Sequence, residues 1–173
     1  MIINKDTQLC ISLASRPSNF GTTLHNAAYT ALDINFIYKA FGISDITGAI
    51  AGVRALNIRG CSISMPFKEA VLPLLDKLDD TARIIGAVNT VVNDAGILTG
   101  FNTDAAGAQT ALESINLHPN EHVLLLGAGG AARAIMFALR NIGVKKVCVS
   151  NRDPKRVQLL NSILVCEAIP WEE

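Results

Sequence analysis

Leu124-Leu125-Leu126-Gly127-Ala128-Gly129-Gly130-Ala131-Ala132 is the stretch that decides the fold. An apolar run from Val123 to Leu126 meets a glycine cluster, and a small-residue, helix-favouring segment follows. That is the order strand, tight turn, helix N-terminus. Such a turn points backbone N–H groups outward at the positive end of a helix dipole, a ready place for a pyrophosphate. The pattern departs from Gly-x-Gly-x-x-Gly only in having Ala132 at the third position, an accepted substitution. Gly127, Ala128, Gly129, Gly130 and Ala131 are therefore the expected cofactor cradle. The plain alternative is a tight strand-to-helix turn that binds nothing. The context argues against it, because a second apolar strand returns at Lys146 to Ser150 and completes a βαβ unit.

The end of that second strand selects the nucleotide. A dinucleotide unit for NAD places an Asp or Glu there to accept from the ribose hydroxyls. Here Asn151-Arg152 stands at the strand end, with Lys155 and Arg156 shortly after. Guanidinium groups clamp a 2′-phosphate in a bidentate manner, which favours NADP over NAD. Asp153 is the one residue that offers an acidic ribose partner instead.

Composition bounds the class. Of 173 residues half are hydrophobic and 17% charged, with formal net charge zero, so a sizeable core is available and disorder is excluded. Basic residues are scattered, which argues against nucleic acid. No basic stretch followed by an apolar segment opens the chain, and its longest apolar region is broken by glycines and Arg133, so neither a signal peptide nor a membrane span is expected. Cys10, Cys61, Cys148 and Cys166 are dispersed, as are His25, His118 and His122. That spacing predicts no metal site and no disulfide framework; Cys10 and Cys148 read as small buried hydrophobes within strands. A cytoplasmic setting follows from that pattern.

Apolar periodicity alternates strands and helices along the whole chain, giving an α/β class. Strands are expected at 7–14, 34–41, 58–64, 88–92 and 96–100, the last two forming a hairpin around Asn93-Asp94-Ala95. Helices are expected at 22–32, with Leu24, Ala28 and Ala31 on one face, and from the Asp45 cap to about Leu56. A further helix is expected after Met65-Pro66-Phe67, and another from Asp104 to about Ile115. The predicted division is an α/β domain over 1–103 and the N-terminal half of a Rossmann-type dinucleotide domain over 104–173. After Gly127 there is room for about one mononucleotide unit, so the nicotinamide half of such a site is expected to lie outside this stretch.

Four motifs then occur in order: Ser62-Ile63-Ser64-Met65-Pro66-Phe67-Lys68, Gly86-Ala87-Val88-Asn89-Thr90, Gly100-Phe101-Asn102-Thr103-Asp104 and Gly127-Ala128-Gly129-Gly130. Together they resemble the shikimate dehydrogenase family, over nearly the whole chain. The resemblance implies a substrate domain followed by an NADP domain, with Asn151, Arg152 and Arg156 on the 2′-phosphate. It also implies that the protein is an enzyme, a monomer or homodimer, acting on a small shikimate-like hydroxy acid. Carried over position by position, Lys68 and Asp104 are the catalytic pair, and Ser64 and Asn89 bind substrate.

The chemistry of those residue types agrees. Oxidising a secondary alcohol requires a base for the hydroxyl proton while the hydride leaves. A lysine serves in that role when its surroundings bring its pKa toward neutrality. Asp104 is suited to positioning the hydroxyl and the ammonium.

The resemblance is weakest before Lys68. The family reads Ser-x-Ser-Pro-x-x-His-Asn, whereas this chain reads Asn19-Phe20-Gly21-Thr22-Thr23-Leu24-His25-Asn26. Asn19 and Gly21 replace the two serines that hold the substrate carboxylate, and Thr22 replaces the proline. Asn19 and Thr22 are the expected replacement donors, with Arg16 as a further candidate. His25 and Asn26 read as helix-packing residues. Ser62 stands in place of the family's asparagine. The expectation is a paralogue that oxidises shikimate slowly with NADP. The alternatives are a quinate/shikimate dehydrogenase using NAD and a non-catalytic NADP- or shikimate-binding module. A folate-linked methylene dehydrogenase shares the layout but does not suit Asn102-Thr103-Asp104.

Overall fold

The structure is a computed structural model and describes residues Ile3 to Trp171. The chain forms two compact units. The first runs up to Asp79 and takes in Val88–Phe101; the second comprises Asp80–Ala87 and the chain from Asn102 onward.

The first unit is built on strands β1 (Gln8–Ala14), β2 (Phe36–Gly42), β3 (Gly60–Ile63), β4 (Lys77–Leu78), β5 (Thr90–Asp94) and β6 (Ile97–Phe101). They form one sheet in the order β2-β1-β3-β5-β6-β4, parallel except where β5 runs against β3 and β6. Side chains alternate across a sheet, so register decides which residues share a face. Ile11 is opposite Cys61, Leu13 opposite Ile63, and Cys61 opposite Val91. All are buried, and Val53 of helix α2 (Ile46–Ala55) is closed to solvent with them. Asp45 caps α2 as its sequence predicts, its carboxylate accepting from Gly48 N at 3.0 Å. The other face is polar: Ser62 is opposite both Ser12 and Thr90, and Tyr38 is opposite Cys10.

Helix α1 (Phe20–Ala31) turns a face toward that polar side, but not the expected one. His25, Asn26 and Tyr29 are half-buried, while Leu24 and Ala31 are exposed. The helix is anchored by bonds and ring contacts to Tyr38 rather than by an apolar stripe. Cys10 is only half-buried for the same reason, lying on the polar face.

Two further expectations are corrected. After Pro66, which follows a cis peptide bond, the chain makes turns and one 3-10 turn at Leu72–Leu74, with no α-helix. Phe67 and Val71 are buried instead by successive tight turns, the second closed by Val71 N donating to Phe67 O at 3.0 Å. The hairpin turn falls on Ala95-Gly96, both with positive φ of 52° and 91°, the geometry of a two-residue primed turn. Asn93 instead points inward, donating from Nδ2 to the carbonyls of Val53 and Ile58.

The second unit contains helices α3 (Asp80–Ile85), α4 (Asp104–Ser114), α5 (Gly130–Ile142) and α6 (Pro154–Leu160) and strands β7 (His122–Leu126), β8 (Lys146–Ser150) and β9 (Glu167–Ile169). The strands form a parallel sheet in the order β7-β8-β9. Met136 and Leu139 of α5, Val147 and Val149 of β8, and Val157 and Leu160 of α6 make its core. Cys148 points away from that core and is half-buried.

The sequence alone puts residues 80–87 with the first domain. They belong to the second unit because Ile85 and Ala87 pack on Ala105 of α4 and Ala134 of α5. Small residues there bring the backbones close enough for Asn102 Nδ2 to donate to Ala87 O at 2.9 Å. Arg133 Nη1 adds contacts to the carbonyls of Ile85 and Gly86.

Candidate active site

Within the first unit the residues expected to meet substrate converge at one end of β3 and β5. Ile63 N donates to Asn89 O at 2.8 Å, and Val88 N donates to Lys68 O at 2.8 Å. Those two bonds place Lys68, Asn89 and the Ser62–Ser64 strand end side by side, although 21 positions separate Lys68 from Asn89. Phe67, buried beneath, fixes the turn that presents Lys68, whose side chain is half-buried. Asn89 Oδ1 accepts from Thr90 Oγ1 at 2.9 Å, which sets the orientation of the amide. Ser64 is exposed at the strand end.

Asn19 and Thr22 lie at the N-terminus of α1. Asn19 is the N-cap residue, exposed, and makes no side-chain cap bond. Gly21, between them, lies against Tyr38: a Cβ built there would be 3.4 Å from the Tyr38 ring. Tyr38, which sequence reasoning missed, is buried and donates its hydroxyl to Ser62 Oγ at 3.2 Å. His25 stacks on its ring at 4.3 Å. The groove over this face has a volume of about 280 Å³ and is lined by Cys10, His25, Tyr38, Ser62 and Thr90, among others. Two of its groups are held neutral. Burial, with Cys10 nearby, pushes the Tyr29 phenol up, and burial pushes the Cys61 thiol up to about 12.

In the second unit Asp104 opens α4, half-buried and in the first helical turn, where the helix dipole favours a carboxylate. Asn102, two residues before it, is buried; its Oδ1 has no hydrogen-bond partner among the described residues.

The dinucleotide elements form as expected. Gly127 has φ of +101°, open only to glycine without strain, and its N–H donates to Ser150 O at 2.8 Å. Gly129 caps the 13-residue helix α5, and a Cβ at Gly129 would meet nothing within 4 Å. An open backbone surface at the N-terminus of a long helix fits a pyrophosphate. Ala128 is buried under this turn; Gly130 and Ala131 begin the helix.

At the end of β8, Asn151 Nδ2 donates to Asp153 O at 2.8 Å. Asp153 is engaged as the cap of α6, accepting from Lys155 N at 3.0 Å, with Arg156 Nε 3.8 Å from its other oxygen. Its carboxylate is thus committed locally, which weakens its claim as a ribose partner. Arg152 stays exposed, its guanidinium 5.9 Å from the centre of the Trp171 ring. Asn151, Arg152, Val157, Ala168 and Trp171 line a cavity of about 400 Å³ at the C-terminal ends of β8 and β9. Open parallel sheets take their ligands at that end. The residues present therefore fit an NADP adenosine half.

Among the described residues no cluster of three His, Cys, Asp or Glu side chains is placed to hold a metal, and no helix is long and apolar enough to cross a membrane.

Comparison with known proteins agrees with this arrangement. Residues 19–91 match the family profile described as shikimate dehydrogenase substrate binding domain, and residues 108–171 that described as shikimate / quinate 5-dehydrogenase. A shikimate dehydrogenase-like protein of Haemophilus influenzae is 50% identical over 94% of this chain and 60% of its own length. A shikimate dehydrogenase (NADP(+)) of Moorella thermoacetica is 42% identical over 85% of this chain and 51% of its own. The solved shikimate 5-dehydrogenase of Thermus thermophilus, in complex with NADP(H) and shikimate, is 36% identical with a TM-score of 0.83, over 94% of this chain and 63% of that one. The chain thus spans about half to two-thirds of the length of the relatives it matches. The α/β fold, the Rossmann-like turn and the two profiles place this chain in the shikimate dehydrogenase family.

Proposed function

We propose that the protein carrying this chain is an NADP-dependent alcohol oxidoreductase that interconverts shikimate and its 3-ketone, slowly. The first unit holds the substrate and the second the adenosine half of the dinucleotide, with the division of the chain near residues 103–104. A cytoplasmic setting, as monomer or homodimer, goes with that reading.

The observation that carries the proposal is the hydrogen-bonded junction of Lys68 with Val88-Asn89 beside the Ser62–Ser64 strand end. It gathers a proton acceptor, an amide and hydroxyls on one strand end. In the alcohol-to-ketone direction Lys68 Nζ takes the hydroxyl proton as the C–O bond becomes a carbonyl. Asn89 and Ser64, with Asn19 and Thr22, hold the ring and its carboxylate, and Asp104 orients the reacting hydroxyl. NADP, when bound, accepts the hydride. Gly127, Ala128, Gly129, Gly130 and Ala131 hold its pyrophosphate, and Asn151, Arg152 and Arg156 its 2′-phosphate.

The test is the initial rate of NADP reduction with shikimate, then quinate, using protein whose mass has been verified. Turnover with shikimate establishes the reaction. Turnover with quinate alone moves the substrate to the saturated ring acid. Tight NADP binding without turnover on either acid favours a binding module.

A further inference from the structure

We propose that Tyr38 and Ser62 form a hydroxyl relay that presents a hydrogen-bond donor to the carboxylate of the substrate, making Tyr38 a specificity-determining residue. The inference rests on the reading of the substrate as a cyclic hydroxy acid.

Tyr38 is buried, yet its hydroxyl is not spent on a backbone carbonyl: it donates to Ser62 Oγ at 3.2 Å. A serine hydroxyl that accepts one hydrogen bond still has its own proton to give. Hydrogen bonds in series polarise one another, so the Ser62 O–H becomes a better donor toward an anion. Ser62 lies two residues before Ser64, at the strand end shared with Lys68 and Asn89, and lines the groove of about 280 Å³.

The phenol is held in place by more contacts than packing requires. Asn26 grips its backbone, with Oδ1 accepting from Tyr38 N and Nδ2 donating to Tyr38 O, both at 2.9 Å. His25 stacks on the ring. Gly21 completes the arrangement, since a side chain there would begin 3.4 Å from the ring. The absence of a side chain at 21 and the short hydroxyl at 62 are thus complementary to a single large residue between them. Gly21 also belongs to the first turn of α1, which carries no acidic residue, so the dipole of that helix favours an anion beside Tyr38.

The experiment compares wild type, Tyr38→Phe and Ser62→Ala on shikimate and on its methyl ester at saturating NADP. Tyr38→Phe keeps the ring, the stack and the backbone grip while deleting the hydroxyl. The relay predicts a KM for shikimate raised about tenfold in Ser62→Ala, as for loss of a hydrogen bond to a charged group, and raised roughly twofold in Tyr38→Phe, which loses only the polarisation of that bond. It predicts kcat within twofold, an unchanged KM for NADP and little change on the ester. The double variant rises no further than Ser62→Ala, because Tyr38 acts only through Ser62. An unaltered KM in Tyr38→Phe, or equal shifts on acid and ester, overturns the relay while leaving the reaction standing. A wild type inert on both shikimate and quinate overturns the functional reading, and the relay with it.

Discussion

The side-chain amide of Asn26 and the backbone of Tyr38 make a two-point clasp: Tyr38 N donates to Asn26 Oδ1 and Asn26 Nδ2 donates to Tyr38 O, each at 2.9 Å. Asn26 Nδ2 also donates to Thr22 O at 2.8 Å, so one amide ties helix α1 to strand β2. That clasp explains why α1 holds its place on the sheet with no fully buried side chain of its own.

Asn26→Ala leaves the N–H and C=O of a buried residue without these partners. Unsatisfied groups of that kind cost about 1–3 kcal/mol each. Urea unfolding is expected to show a loss of at least about 2 kcal/mol for the pair. A loss below about 0.5 kcal/mol, within the usual range of surface substitutions, would show that water replaces the amide without penalty.

Lys68→Ala removes the proposed proton acceptor while Phe67 and Val71 still fix the turn. A fall in kcat of about 10²- to 10⁴-fold is expected, the usual worth of a positioned acid–base group. Affinity for NADP, measured by calorimetry, stays near the parent value, since every proposed cofactor contact lies in the other unit. Activity close to that of the parent rejects Lys68 as the base.

Arg152→Ala deletes the exposed guanidinium beside Trp171. Charge-assisted hydrogen bonds contribute about 1.5–3 kcal/mol, so NADP affinity should drop roughly tenfold or more while NAD affinity barely moves. Equal losses for the two nucleotides would mean that Arg152 does not read the 2′-phosphate.

Asp76 links acid stability to a named pair. Its carboxylate accepts from Arg54 Nη1 and from Leu98 N, both at 2.7 Å, and these bonds hold its pKa below the usual carboxylate range. A group depressed on folding stabilises the native state above its unfolded pKa of about 3.9, and that contribution is lost as pH falls through the lower folded value. Thermal melts from pH 7 down to pH 2 should therefore show a steeper acid-side decline for the parent than for Asp76→Asn. Parallel curves would remove Asp76 from the acid response.

Local signals made much of this molecule legible in advance. The strand, glycine turn, helix and returning strand over 123–150 depend on period and turn chemistry, which are written in neighbouring residues. The same holds for the Asp45 cap and for Asp104 at a helix start. The segment after Pro66 misled because a proline there suits the first turn of a helix, yet Phe67 and Val71 are buried by tight turns instead. Leu24 misled in the same way: α1 is oriented by the Asn26 clasp, whose partner lies twelve residues on in another element.

The sequence by itself determined the α/β class, the dinucleotide turn and the motifs that carry Lys68, Asn89, Asp104 and Arg152, because each depends on residues adjacent in the chain. Only the tertiary structure decided that residues 80–87 pack with the second unit and that Gly21, Tyr38 and Ser62 meet. Those outcomes turn on the close approach of small side chains, Ala87 on Ala105 and Ala134, and of a glycine on an aromatic ring. Contacts of that kind are set by the register of distant segments, and no periodicity in a single stretch encodes them.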